Sequence, residues 1–293
     1  MMRSVWRLEG VTWKAFAKRV WDQIVEDRVT GQAAQLAFYF VLAVFPLLLA
    51  LTALLGFFLQ SEAALRDTLQ KYLSSVVPDS VSGLLETALH EVASGSSGGK
   101  LSIGFIATLW GASNGMAAIM RAFNIAYDVE EERAWWKQRL VAIGLTVGFL
   151  VLITGALALL VFGPALIHWM AEHFGFGSVF RVLGMALEWV VLLGFLVMAF
   201  NILYIYAPNI KHRRWHWLMP GTVAGIGLWL LASLGFKTYL HYFDRYSVTY
   251  GSIGAVIVLL LWFYWSGIAI LIGAEVNSEL EKASSAVHGQ EEV

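Results

Sequence analysis

Glu188 and Lys237 are ionisable residues set inside long apolar runs. A charge in hydrocarbon is costly, so each demands an explanation. Glu188 lies six residues into its run, roughly 9 Å deep at helical rise. Lys237 lies four residues before the end of the next run, roughly 6 Å deep. The two runs must travel in opposite directions, so both groups belong to the same half of the membrane and could pair across adjacent helices. The competing readings are snorkelling of Lys237 to the headgroups and an interfacial, protonated Glu188. Asn114, within Gly111-Ala-Ser-Asn-Gly115, and Asn201 are amides in apolar runs. Either lines a polar path or bonds across a close helix contact. A third group lies at the ends of runs: Arg121, and Glu275 with Glu279 four residues later on one helix face. These are candidates for a charge cluster at the inner face, with solvated interfacial charges as the alternative.

Catalytic constellations are missing. His212 and His216 have the spacing of a zinc-binding helix, but no acidic residue accompanies them, and both lie in a basic loop. The other histidines, at 90, 168, 173, 241 and 288, are scattered. There is no Gly-x-Ser-x-Gly, P-loop or dinucleotide fingerprint. The chain has no cysteine, which removes thiolate and iron–sulfur chemistry. The expectation is no enzyme, no cofactor, no metal and no nucleic-acid partner. The basic run Lys211-His-Arg-Arg214 is what loop-charge bias gives on its own.

The elements that must hold these residues follow from composition. Of 293 residues, 58% are hydrophobic and 14% charged, and the mean hydropathy is +0.66. Soluble domains carry about 25% charge, so this chain cannot cover itself with a charged skin. Composition excludes disorder, a collagen-like fibre and a disulfide-stapled miniprotein. Six runs are long enough to span a bilayer, at about 34–59, 101–120, 140–168, 182–207, 217–241 and 251–274. None shows barrel-strand alternation, so the expectation is an all-α polytopic membrane protein of six transmembrane helices.

Lys and Arg sort unevenly between the two sides. Arg3, Arg7, Lys14, Lys18, Arg19, Arg28, Arg121, Arg133, Lys137, Arg139, Lys211, Arg213, Arg214 and Lys282 fall on one; Arg66, Lys71, Lys100, Arg181 and Arg245 on the other. The positive-inside rule then places both termini in the cytoplasm. Residues 1–293 read as one membrane domain with three flanking parts. In 1–33, Val11–Arg28 is an amphipathic helix with Trp13, Phe16, Val20 and Ile24 on one side. It lies either on the inner leaflet or under the bundle. The outer loop, 60–100, carries two helical stripes broken at Pro78-Asp79-Ser80, an outer hairpin. The cytoplasmic tail is 275–293. Gly144-Leu-Thr-Val-Gly148 and Gly221-Thr-Val-Ala-Gly225 are candidates for close helix packing.

The segment Thr249-Tyr-Gly-Ser-Ile-Gly-Ala-Val-Ile-Val-Leu-Leu-Leu-Trp262, running on to Gly273-Ala-Glu-Val-Asn-Ser-Glu-Leu280, resembles the bacterial YihY/BrkB family. So do Ala33-Ala-Gln-Leu-Ala-Phe-Tyr-Phe40 with Phe45-Pro46, Arg121-Ala-Phe-Asn-Ile-Ala-Tyr127, and Tyr204-Ile-Tyr-Ala-Pro-Asn209. Where many relatives have small residues and a lysine before the Arg121 position, this chain has Met116-Ala-Ala-Ile-Met120. The resemblance implies an inner-membrane protein of six spans. It also brings the label ribonuclease BN, which finds no His-x-His-x-Asp-His-like cluster in this sequence. Other relatives are linked to serum resistance, lipid export or ion exchange. The resulting expectation is a transporter-like protein with membrane lipids and a small solute or ion as partners. The rival is a non-transporting scaffold or envelope-integrity factor. Oligomeric state is not legible in the chain.

Overall fold

The computed structural model describes residues 12–58, 98–174, 177–210, 219–242 and 246–291. Among them every regular element is a helix: α1 Trp13–Glu26, α2 Val29–Phe58, α3 Gly98–Ala126, α4 Trp135–Phe174, α5 Gly177–Tyr206, α6 Pro220–Tyr242 and α7 Tyr246–Glu291. The expected outer hairpin at 60–97 and the basic loop with His212 and His216 lie outside the described residues.

Among the described residues four stretches are long and apolar enough to cross a membrane: Trp135–Leu160, Gly184–Tyr206, Pro220–Tyr239 and Val256–Ser284. They correspond to four of the six expected spans. The remaining two fall within α2 and α3, and the described part of α2 adds a shorter apolar stretch, Val29–Val44. The outward surface is what lipid demands. Leu187, Trp189, Val190 and Leu193 of α5 and Leu230, Leu231 and Leu234 of α6 are all exposed. In water such faces would drive aggregation; in a bilayer they are matched by acyl chains.

The chain forms two compact units. One comprises Met1–Pro46, Trp110–Leu145 and Phe200–Val293, and the other Leu47–Leu109 and Thr146–Ala199. In the second, Leu47, Leu109, Ile153 and Leu157 pack around the buried Leu150. The first unit is built on the α6–α7 pair, with α1 packed against α7.

Thr12 caps α1, its hydroxyl oxygen accepting the Ala15 amide at 3.3 Å. Of the apolar stripe, Phe16 and Val20 are buried, but Trp13 is 71% exposed. The stripe that meets protein is therefore narrower than the apolar face, and Trp13, Trp21 and Val25 stay available to lipid. The helix stops at Asp27, and Arg28 turns the chain through a left-handed conformation (φ 50°) into α2. Four helices meet at Tyr204. Its ring stacks on Phe123 of α3 at 5.4 Å, and its hydroxyl donates to the Ile270 carbonyl of α7 at 2.9 Å. At Gly225 of α6, a Cβ would sit 2.6 Å from that hydroxyl. Gly144 and Gly148, in contrast, have nothing within 4 Å of an added Cβ among the described residues, so this pair is no packing seam between them. Helical periodicity alone does not distinguish a glycine at a crossing from one that faces outward.

Candidate functional site

The helix-end residues converge in the first unit. Glu275, Glu279 and Lys282 follow one another at i, i+4 and i+7 on α7, so they share a face. Glu275 is wholly buried and Glu279 is 6% exposed. Lys282 Nζ reaches Glu279 Oε1 at 2.9 Å and Asp128 Oδ2 at 2.7 Å. Asp128 is delivered by a left-handed turn just after α3 (φ 50°). The turn after α1 delivers Asp27, whose carboxyl lies beside that of Glu275. Among the described residues, neither Glu275 oxygen nor Asp27 Oδ2 receives a donor from any other group.

Two carboxylates thus hold the one ammonium, and its charge also reaches Asp27 and Glu275. Burial holds the Asp27 carboxyl above the usual carboxylate range; the charges of Asp128 and Glu26 push the same way, against the pull of the Glu275 contact and Lys282. Two carboxylates brought together away from water cannot both stay charged without cost. Among the described residues no group of three or more His, Asp or Glu side chains is placed to hold a metal ion.

A second polar feature involves α2, α3 and α4. Arg139, in the second turn of α4, lies 3.8 Å above the Trp110 ring. It donates to Asn114 Oδ1 at 2.8 Å and to the Trp110 carbonyl at 2.6 Å. Arg121 lies over the Tyr39 ring at 5.5 Å. A cavity of about 270 Å³ opens among Tyr39, Asn114, Arg121, Trp135, Gln138 and Arg139.

A third group ties two loops together. Arg133 holds Glu131 through Nε and Nη2, at 2.7 and 2.8 Å, and donates to the Ala207 carbonyl at 3.0 Å. Asn124 donates to Glu131 at 2.9 Å and accepts the Asn209 amide at 2.8 Å. Burial pushes the Glu131 carboxyl up, but the bonds from Arg133 and Asn124 outweigh it and leave the group below its ordinary range.

The sequence candidates are therefore distributed. Glu275 and Glu279 share the carboxyl cluster. Arg121 does not join them; it lines the cavity with Asn114. Asn201 is buried and accepts from the Thr222 hydroxyl of α6. Glu188 sets its carboxylate against Gly163, where an added Cβ would lie 3.1 Å away. Lys237 is exposed on α6. Glu188 belongs to the second unit and Lys237 to the first. Sequence reasoning misses Asp27, Asp128, Arg139 and Trp110. Lys282 carries a signal, the i+3 and i+7 spacing from Glu279 and Glu275. Asp27 carries none, because only the fold brings the end of α1 to α7.

An all-helical, multi-span architecture with charged groups gathered at helix ends defines an integral membrane protein. The sequence profile described as virulence factor BrkB matches residues 20–292, and the chain belongs to that family. It is 37% identical over 268 residues to YfkH of Bacillus subtilis, named as ribonuclease-like, covering 92% of this chain and 96% of that one. It is 31% identical over 262 residues to a UPF0761 membrane protein of Aliivibrio salmonicida, covering 88% of this chain and 81% of the relative. A UPF0761 membrane protein of Xanthomonas campestris is 25% identical over 278 residues; the match covers 91% of this chain but 60% of that longer one. No solved structure matches.

Proposed function

We propose that this chain is a transporter-like protein of the bacterial inner membrane, with both termini cytoplasmic, that moves a small solute, an ion or a lipid. The observation that supports the reading is Glu275: a wholly buried carboxyl beside a second carboxyl, with no donor from elsewhere among the described residues. A protein selected only to hold its shape gains nothing from this arrangement, since an apolar residue of similar volume would be at least as stable. A proton shared by two carboxyls is what a carrier needs to sense or couple to a gradient. The loop tie of Arg133, Glu131, Asn124 and Asn209 favours the second reading, a scaffold, because it rigidifies without exposing a reactive group. Enzyme and nuclease readings draw support only from the name of YfkH.

The test is reconstitution of the full chain into liposomes of phosphatidylethanolamine and phosphatidylglycerol. Two signals are followed: proton movement under imposed sodium or potassium gradients, reported by an entrapped pH dye, and flipping of a fluorescent phosphatidylglycerol. A carrier raises at least one above protein-free liposomes. Baseline behaviour in both would favour the scaffold.

A further inference from the structure

The cavity bounded by α2, α3 and α4 is distinct from the carboxyl cluster and is not used by the reading above. Among the described residues its walls carry two guanidinium groups, Arg121 and Arg139, and no carboxylate. Glu131 touches the lining residue Gln138 at 3.4 Å, and its oxygens are already taken by Arg133 and Asn124. Loop-charge bias explains why arginines occur here, but not how they are held. A snorkelling arginine points freely to water. Arg139 instead stacks on Trp110 and spends two donors on Asn114 and the Trp110 carbonyl, while its Nε is buried without an acceptor. Arg121 lies on the Tyr39 face. Aromatic faces hold both guanidinium planes in place, which lowers the entropy cost of receiving an anion.

We infer that this cavity is a binding site for an anionic phosphate group, supplied by a lipid headgroup or by a free phosphate-bearing solute. Guanidinium forks match phosphate oxygens in pairs and are favoured over lysine for that geometry. Gln138 and the Asn114 amide supply neutral donors beside them. The volume, about 270 Å³, lies below the usual range of about 300–1,000 Å³ for drug-sized ligands and suits a headgroup-sized one. Trp135, 69% exposed at the start of α4, and Trp110, 6.3 Å from it, are amphipathic rings of the kind that settle at headgroup level.

The experiment uses the full chain in neutral detergent. Its thermal midpoint is followed against short-chain phosphatidylglycerol, phosphatidylcholine with the same tails, and inorganic phosphate. Saturable stabilisation by phosphatidylglycerol, not matched by phosphatidylcholine, is expected. Arg121→Gln should weaken it about tenfold or more while leaving the unliganded midpoint in place. Gln138→Glu, which sets a carboxylate into the cavity, should weaken binding at least as much and serves if Arg121→Gln does not fold. Lys137→Gln, whose amine stacks on Trp136 away from the cavity, should change affinity by less than about twofold. Stabilisation by phosphatidylglycerol alone identifies a lipid headgroup as the source, and stabilisation by inorganic phosphate identifies a free solute; either supports the site. Equal stabilisation by the two lipids with none from phosphate, no saturable ligand at all, or unchanged affinity in the folded variants would overturn it.

Discussion

At the residue scale the carboxyls divide into two kinds with opposite pH behaviour. Asp27 is held above its ordinary range in the fold, so the folded state binds its proton more tightly than the unfolded chain does. Its contribution to stability is full below roughly pH 4, the unfolded value, and is lost as pH rises through the higher folded value. Glu131 is held below its range, so its contribution is present above roughly pH 4 and is lost as pH falls. Asp27→Asn should therefore remove the part of the stability loss that sets in as pH rises above roughly 4, and Glu131→Gln the part that sets in as pH falls below it. Thermal midpoints of the purified protein between pH 3 and pH 9 check both. An unchanged profile above roughly pH 4 in Asp27→Asn would remove the carboxyl pair from the account. Single residues were only partly legible in the sequence. Glu275 and Glu279 announce themselves by helical spacing and hydrophobic surroundings, and Arg121 by its position at the end of a run. What one chain cannot reveal is which distant turn supplies the partner, and here Asp27 and Arg139 decide the environments of Glu275 and Asn114.

At the element scale the segment 273–280 is a packing and capping device as well as a site. Gly273 lets the backbones of α6 and α7 approach, and Asn277 accepts the Gly221 amide at 2.8 Å, capping the start of α6. Gly221 has no room for a methyl: an added Cβ would collide with the Gly273 carbonyl and the Asn277 side chain. Gly221→Ala should destabilise by about 3 kcal/mol or more, since backbone overpacking has no rotamer to relax into. Gly144→Ala, with open space around it, should be neutral or gain up to about 1 kcal/mol of helix propensity. Detergent unfolding midpoints of the two variants test the contrast, and equal effects would contradict the crossing geometry. The helices themselves were legible because apolar length and the missing period-2 alternation leave few alternatives. The outward turn of Trp13 was not, because amphipathic periodicity fixes an apolar face without saying how much of it meets protein and how much meets lipid.

At the scale of the whole molecule, family membership and apolar helices establish a membrane protein, and the distribution of Lys and Arg sets the orientation we expect. The absence of native cysteine makes that orientation simple to measure. Single cysteines at Ser4 and Ser284 should resist a membrane-impermeant thiol reagent in intact cells and react after permeabilisation; labelling from outside at either position would invert the topology. Transport itself rests on the buried carboxyl pair, and its sharpest test separates stability from movement. In Glu275→Gln the size is kept and the buried acid is gone. The reading predicts a protein at least as stable as the wild type in detergent, because an uncompensated buried acid has been removed. It also predicts that whichever liposome signal the wild type supports, proton movement or lipid flipping, falls about tenfold or more. A folded Glu275→Gln protein that carries the signal at the wild-type rate would contradict the account.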